Sequence, residues 1–270
     1  MALVTFSGGL GCGAEEVARL VADGADLELY DDQRLQKEAL NIGLRQNDLK
    51  GLDEKAPGFF DSLRYNPELY LDILESVVYE VSRSGKGVLI GHGSQLLLRD
   101  FGCALHVLIH PSEPFRIRQV MDHYGLSSKA AERMIRKSDN EKRGFLRFAF
   151  HMEWNDPSLY DLVISTEKLG TQGAAKLVLE ALQSQAVEEC SLNALESMER
   201  MSLSKKVQAE LLRQHFNLNQ FHVEVPETGL VQLTGFTTSQ EEKDRLTDTA
   251  KKVPGVARLN AEVAVLQSGA

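Results

Sequence analysis

Cysteine, proline and tryptophan are scarce in this 270-residue chain, with 3, 7 and 1 of each. The cysteines, Cys12, Cys103 and Cys190, are odd in number and widely spaced. That spacing excludes a dense disulfide scaffold and the paired ligands of a zinc site, and suits reduced thiols. No grouping of residues has metal-ligand spacing, so no metal held by protein side chains alone is expected. A long apolar run is also missing: nothing approaches the ~20 residues of a membrane helix, so no integral membrane span is expected. The N-terminus lacks a basic region, a following apolar stretch and a small-residue cleavage site, which leads us to expect a cytoplasmic, soluble protein. Positive charge is in deficit, with 30 Lys and Arg against 39 Asp and Glu and a net charge of −9. An acidic chain of this kind is not expected to bind nucleic acid. No internal repeat is evident.

What is present falls into two patterns. From residue 1 to about 183, short apolar runs alternate with longer amphipathic segments, the mark of a parallel sheet wrapped by helices. Leu3–Phe6, Gly87–Ile90, Ala104–Ile109 and Leu162–Ile164 read as strands buried on both faces, with Leu27–Tyr30 strand-like. Helices are expected at Ala14–Ala22, Gln33–Leu44, Pro67–Ser82, Pro114–Tyr124, Ser128–Phe150, this one broken or bent, and Ala174–Leu182. Residues 184–200 are acidic and rich in small side chains, and read as a helical or loose linker. From 201 to 270 the order is α-β-β-α-β: helix Ser204–Phe216, strands Phe221–Val225 and Leu230–Thr234, helix Ser239–Val253 and strand Val256–Val265. The expected fold is thus a larger α/β domain (1–183) followed by a smaller α+β domain (201–270).

The chemistry concentrates in the segment Leu3–Val17, where an apolar strand breaks into glycines and then opens a helix. Against the phosphate-loop pattern G-x-x-x-x-G-K-[ST], Gly8 and Gly13 take the glycine positions, Ala14 stands at the lysine and Glu15 at the hydroxyl. Gly11, Cys12 and Gly13 complete a loop whose backbone N–H groups face a helix N-terminus, a natural anion site. Glu15 places a carboxylate where a phosphate would sit. Cys12 is either a reactive thiol or a small residue tolerated in the loop. Further on, Arg136, Lys137, Lys142, Arg143 and Arg147 form a basic run on a helix. By spacing alone, Arg143 with Asp139 four residues earlier reads as an exposed ion pair worth ~0.2–0.5 kcal/mol. Arg116 and Arg118 follow a strand and open a helix, and either orient a phosphate or cover an exposed face. Asp31 and Asp32 precede a helix, where Asp commonly caps. Trp154 and Tyr160 precede a buried strand and read as packing residues.

These motifs in order are Gly11–Glu16, Tyr30–Asp32, Asp53–Pro57, Val88–Gly93, Pro114–Met121, Lys137–Arg143 and Trp154–Leu162. Together they resemble the cytidylate kinase-like proteins, a branch of the P-loop nucleoside monophosphate kinases. The hairpin Val223–Thr234 and the segment Val253-Pro-Gly-Val256 resemble a BON domain. The first resemblance implies a P-loop kinase-like fold binding ATP with Mg²⁺ at Gly8, Gly11, Cys12, Gly13, Ala14 and Glu15. It implies CMP or a similar acceptor near Asp31, Asp53, His92, Arg116 and Arg118, with Arg143, Asp139 and Arg147 in the lid. The second implies a module for a small ligand, a lipid or a protein partner.

The chain departs from the family at three cations. Gly8 and Glu15 stand where arginines are usual, and Gly91-His92-Gly93 replaces Gly-Arg-Gly, exchanging a permanent cation for an imidazole that is mostly neutral at pH 7. One preorganised charge of this kind stabilises a transition state by ~3–4 kcal/mol. Three functions therefore stay open: a nucleoside monophosphate kinase; a catalytically degenerate nucleotide sensor read out by the BON-like domain; or a protein whose BON-like domain carries the main function, with the kinase-like part as scaffold.

Overall fold

The computed structural model of the protein describes residues 3–45, 67–184, 187 and 190–266. The N-terminal elements are β1 (Leu3–Gly8), α1 (Ala14–Ala25), β2 (Leu29–Tyr30), α2 (Asp32–Asn41), α3 (Pro67–Ser82), β3 (Gly87–Ile90) and α4 (Ser94–Leu97). They are followed by β4 (Ala104–Ile109), α5 (Glu113–Tyr124), α6 (Ser128–Phe150), β5 (Leu162–Ile164) and α7 (Thr166–Leu182). The C-terminal elements are α8 (Leu192–Arg213), β6 (Phe221–Glu227), β7 (Leu230–Thr237), α9 (Gln240–Lys251) and β8 (Arg258–Val265).

Five strands form one parallel sheet in the order β2-β3-β1-β4-β5. The central strand β1 pairs Leu3 with both Gly87 and Ala104 and continues in step along β4 to Gly8 opposite Ile109. Residues of both faces of β1 are buried, which is why it reads as an unbroken apolar run. Val17, Ala18, Val21 and Ala22 line one stripe of α1 and join Val4, Phe6, Val107, Ile109 and Val178 in the core. The geometry is thus a sheet whose central strand ends in the glycine loop.

Several expectations are corrected. Helix α6 runs unbroken for 23 residues, with Ser127 as its N-cap. Gly144, its one candidate breaker, keeps helical backbone there. The interruption lies instead in α7, at Gly170, with φ 63° and ψ 177°. The strand expected over Leu27–Tyr30 pairs only at Leu29 and Tyr30. The expectation of three reduced thiols also fails: Cys103 and Cys190 form a disulfide, with Cα atoms 4.9 Å apart across 87 residues of sequence. Folding brings together two positions whose spacing gives no hint of pairing. Cys12 is free and buried.

Packing divides the described residues into two compact units, those of 1–34 with 84–191, and those of 35–83 with 192–266. The second unit holds the C-terminal module together with α3. Its sheet places β7 between β6, antiparallel, and β8, parallel. Along β6, Phe221, Val223 and Val225 are buried while His222 and Glu224 are exposed, the alternation of a one-sided strand. Of the two alternatives for residues 184–200, a helical or a loose linker, the helical one holds from Leu192, where α8 begins. Further along, α8 packs on α3: Ser202 Oγ lies 2.9 Å from both Ser76 O and Glu80 Oε2, and Lys205 Nζ lies 2.9 Å from Asp72 and 2.8 Å from Glu75. Burial pushes the Asp72 carboxyl up to about 6 against the pull of Lys205.

Candidate active site

The glycine loop leaves β1 at its carboxyl end, the edge where open α/β sheets place their ligands. Gly11 and Gly13 have φ of 78° and 83°, the left-handed region, and Gly13 is the N-cap of α1. A Cβ at Gly9 would stand 2.3 Å from Arg116 Nη2, so a side chain there requires the guanidinium to move off the loop. Glycines at these positions therefore let neighbouring side chains lie directly on the loop. Cys12 closes it from within: its amide donates to Gly9 O at 3.1 Å, its Sγ accepts from the Ala14 amide at 3.4 Å, and its carbonyl accepts from Thr166 Oγ1 at 2.8 Å. Burial pushes the Cys12 thiol up despite the Ala14 amide and the nearby Lys142. The geometry favours the small packed residue over the reactive thiol.

Arg116 on α5 and Asp139 on α6 form the strongest polar contact of the region. The guanidinium holds both oxygens of Asp139 at 2.9 and 2.7 Å, and its Nε donates to Leu10 O at 2.8 Å. The Arg116 side chain is only 7% exposed. Asp139 is thus paired with Arg116, 23 residues away, and not with Arg143. Arg143 instead donates to Asn140 Oδ1 at 2.7 Å and lies 3.7 Å from Glu153. Lys142 reaches back to the loop, donating to Gly8 O at 2.9 Å with its ammonium 5.3 Å from the centre of the Trp154 ring.

These groups border a cavity of about 410 Å³ lined by His110, Pro111, Ser112, Glu113, Arg116, Arg136, Asp139, Asn140 and Arg143. Its size suits a small ligand. Three arginines face two carboxylates there, so the lining favours an anion. Among the described residues, no group of three or more His, Cys, Asp or Glu is gathered to hold a metal. Both oxygens of Asp139 are engaged by Arg116, which leaves Glu113 as the other lining carboxylate. That donor set fits a magnesium ion that arrives on phosphates, not one caged by side chains.

The other residues singled out from the sequence lie apart from this cavity. Asp31 caps α2, accepting from the Arg34 amide at 2.9 Å. His92 is buried, with φ 58°, and its Nε2 lies 2.8 Å from Asp32 Oδ1. Arg118 is exposed, 3.7 Å from Glu167 and stacked near Phe115. Arg147 pairs with Glu153 on the surface. Glu15 stands exposed in the first turn of α1, whereas Ala14 is buried. Asp53 lies outside the described residues. Tyr160 and Trp154 pack, as their place before β5 indicates: the Trp154 side chain is buried, and burial pushes the Tyr160 hydroxyl up to about 12. Residues 110–113 escaped the sequence reading, although their place just after an apolar strand run is a usable signal.

A parallel sheet in this order, with a glycine loop leaving its central strand and a cationic cavity beside it, defines a P-loop kinase-like α/β domain. The Cytidylate kinase-like family matches residues 3–168 and the BON domain matches residues 202–267. The first match spans more than half of the chain, which belongs to the cytidylate kinase-like family and carries a C-terminal BON domain. A protein named cytidylate kinase from Pyrobaculum islandicum is 25% identical over 181 residues, covering 67% of this chain and 92% of its own length. Another of that name from Staphylothermus marinus is 26% identical over 189 residues, covering 68% and 97%. The crystal structure of an uncharacterized protein from Eubacterium ventriosum resembles the fold with a TM-score of 0.51 and 18% identity, over 68% of this chain and all of that one.

Proposed function

We propose that the N-terminal domain binds a nucleoside triphosphate at the glycine loop and transfers its terminal phosphoryl group to CMP or a similar monophosphate. The observation that carries this reading is the convergence of Arg116, Arg136 and Arg143 on one cavity, with Arg116 bonded to the loop itself. Phosphoryl transfer needs positioning and cations more than covalent chemistry, and this site has both to offer. Magnesium belongs to the substrate, as MgATP, and spreads the charge on its phosphate oxygens. Arg116 orients from a fixed position, its carboxylate partner already in place. Arg143, partly exposed on α6, is a cation able to follow the moving phosphoryl group.

A second reading is favoured by specific geometry. His92, where the family has an arginine, is buried against Asp32 and does not line the cavity. With Gly8 and Glu15 at the other two cationic positions, binding without turnover follows, and the protein is a nucleotide sensor. The BON-containing unit then binds the responding ligand. A cavity of about 610 Å³ there, lined by Arg45, Lys206, Arg213, Arg245 and Lys252 against the carboxylates of Glu210 and Asp248, supports a small anionic one.

Calorimetric titration with MgATP and with CMP, followed by an ADP-release assay on the same sample, separates these readings. Binding with turnover that falls on Arg143→Ala supports the kinase. Binding without turnover supports the sensor, and failure of both nucleotides to bind overturns each.

A further inference from the structure

The loop's missing lysine has a counterpart elsewhere in the domain. Residue 14, the lysine position of the phosphate-loop pattern, is Ala14, and its Cβ lies 3.0 Å from where a Cβ on Gly8 would stand. Residue 14 therefore faces the Gly8 end of the loop. That end is where the Lys142 ammonium is delivered from α6, 134 residues along the chain, onto Gly8 O at 2.9 Å.

The charge balance distinguishes Lys142 from its neighbours. Arg136 pairs with Glu132, Lys137 with Glu141, and Arg143 and Arg147 with Glu153. Arg116, also on the loop, is matched by Asp139. Among the described residues, Lys142 is the cation of this group with no carboxylate within 4 Å. Its contacts are a carbonyl dipole and the face of Trp154. A carbonyl and a ring face orient an ammonium without neutralising it, so its charge is left for an anion at the loop.

We propose that Lys142 supplies the phosphate-binding ammonium that the loop lacks at position 14, taking the terminal phosphates of a di- or triphosphate. The inference rests on the reading that the glycine loop binds a nucleotide. A lysine suits the task because it meets phosphate as a point charge on a flexible stem. Arg116 holds the loop in place, and Lys142 gives it its charge.

The test is titration of the full chain with inorganic pyrophosphate and with MgATP, alongside a thermal melt of each variant. Lys142→Met, which keeps the stem and removes the charge, is expected to weaken both ligands about 10- to 100-fold. Lys142→Arg stays close to the unaltered protein, and Ala14→Lys added to Lys142→Met restores binding. Pyrophosphate binding that is unaffected by Lys142→Met, or absent from the unaltered protein, overturns the proposal. A folded double variant that recovers nothing overturns it too, and if that variant does not fold, the contrast between Arg and Met at position 142 decides. Lysine-dependent pyrophosphate binding without phosphoryl transfer supports the role of Lys142 while removing the kinase reading. Full phosphoryl transfer in Lys142→Met does the reverse.

Discussion

The glycine loop and helix α6 divide between them two properties that a phosphate loop usually unites. The loop has the shape, with left-handed Gly11 and Gly13 and no bulk at Gly9, but its own side chains carry no cation. Helix α6 has the charge, and sends Asp139, Lys142 and Arg143 toward the loop and cavity. Shape and charge are therefore separable: a loop without cations keeps its backbone geometry if neighbouring elements hold it and lend theirs. What α6 lends is of two kinds, a carboxylate that locks Arg116 and an ammonium left uncompensated.

The sharpest way to break this division is Arg116→Ala. It leaves a largely buried Asp139 without its partner and frees Leu10 O, and should lower stability by about 3–5 kcal/mol. Urea unfolding followed by tryptophan fluorescence reads this out, because Trp154 sits beside Lys142. An unchanged midpoint would show that the lock is dispensable. Gly11→Ala tests the loop's side of the bargain. Its φ of 78° and a Cβ only 2.7 Å from the Arg116 carbonyl carry a cost of about 1–3 kcal/mol. Here MgATP affinity should fall more than that of Lys142→Arg, whereas equal affinity would mean the loop's shape is not what binds. The smallest effect concerns Cys12. A raised thiol pKa means less thiolate at any given pH, so iodoacetamide at pH 7–8 should label Cys12 only after unfolding, as intact-mass spectrometry would show. Labelling of the native protein would place Cys12 among the reactive groups of the loop.

How much of this was legible depends on whether the signal is local. Strands β1, β3 and β4 read correctly because burial on both faces makes them continuous apolar runs. For β5 the strand was right but its burial was not: it is the edge strand, and Val163 is exposed. The β6–β7 hairpin read correctly because one-sided burial makes its residues alternate. The glycine loop announced itself because its backbone demands glycine. Long-range partners left no such trace. Spacing paired Asp139 with Arg143 on one helix face, but bidentate geometry on a buried guanidinium from α5 is stronger than an exposed contact one turn away. Whether residues 184–200 were helical or loose was left open for a similar reason, since the α8 face that buries Met198 and Ser202 is covered by α3, more than a hundred residues earlier. Lys142 was visible as one cation in a run. Only the tertiary fold distinguishes it from the others.

The Cys103–Cys190 bridge makes β4, α5, α6, β5 and α7 part of a covalent ring. The ring carries Arg116, Asp139, Lys142 and Arg143, while the glycine loop lies outside it. A single protease cut anywhere between the two cysteines opens the ring without dividing the molecule. The nicked chain stays one covalent molecule, heavier by a single water, until a reductant is added and only then separates into two fragments, so the same digest run with and without reductant reports whether the cut fell inside the ring.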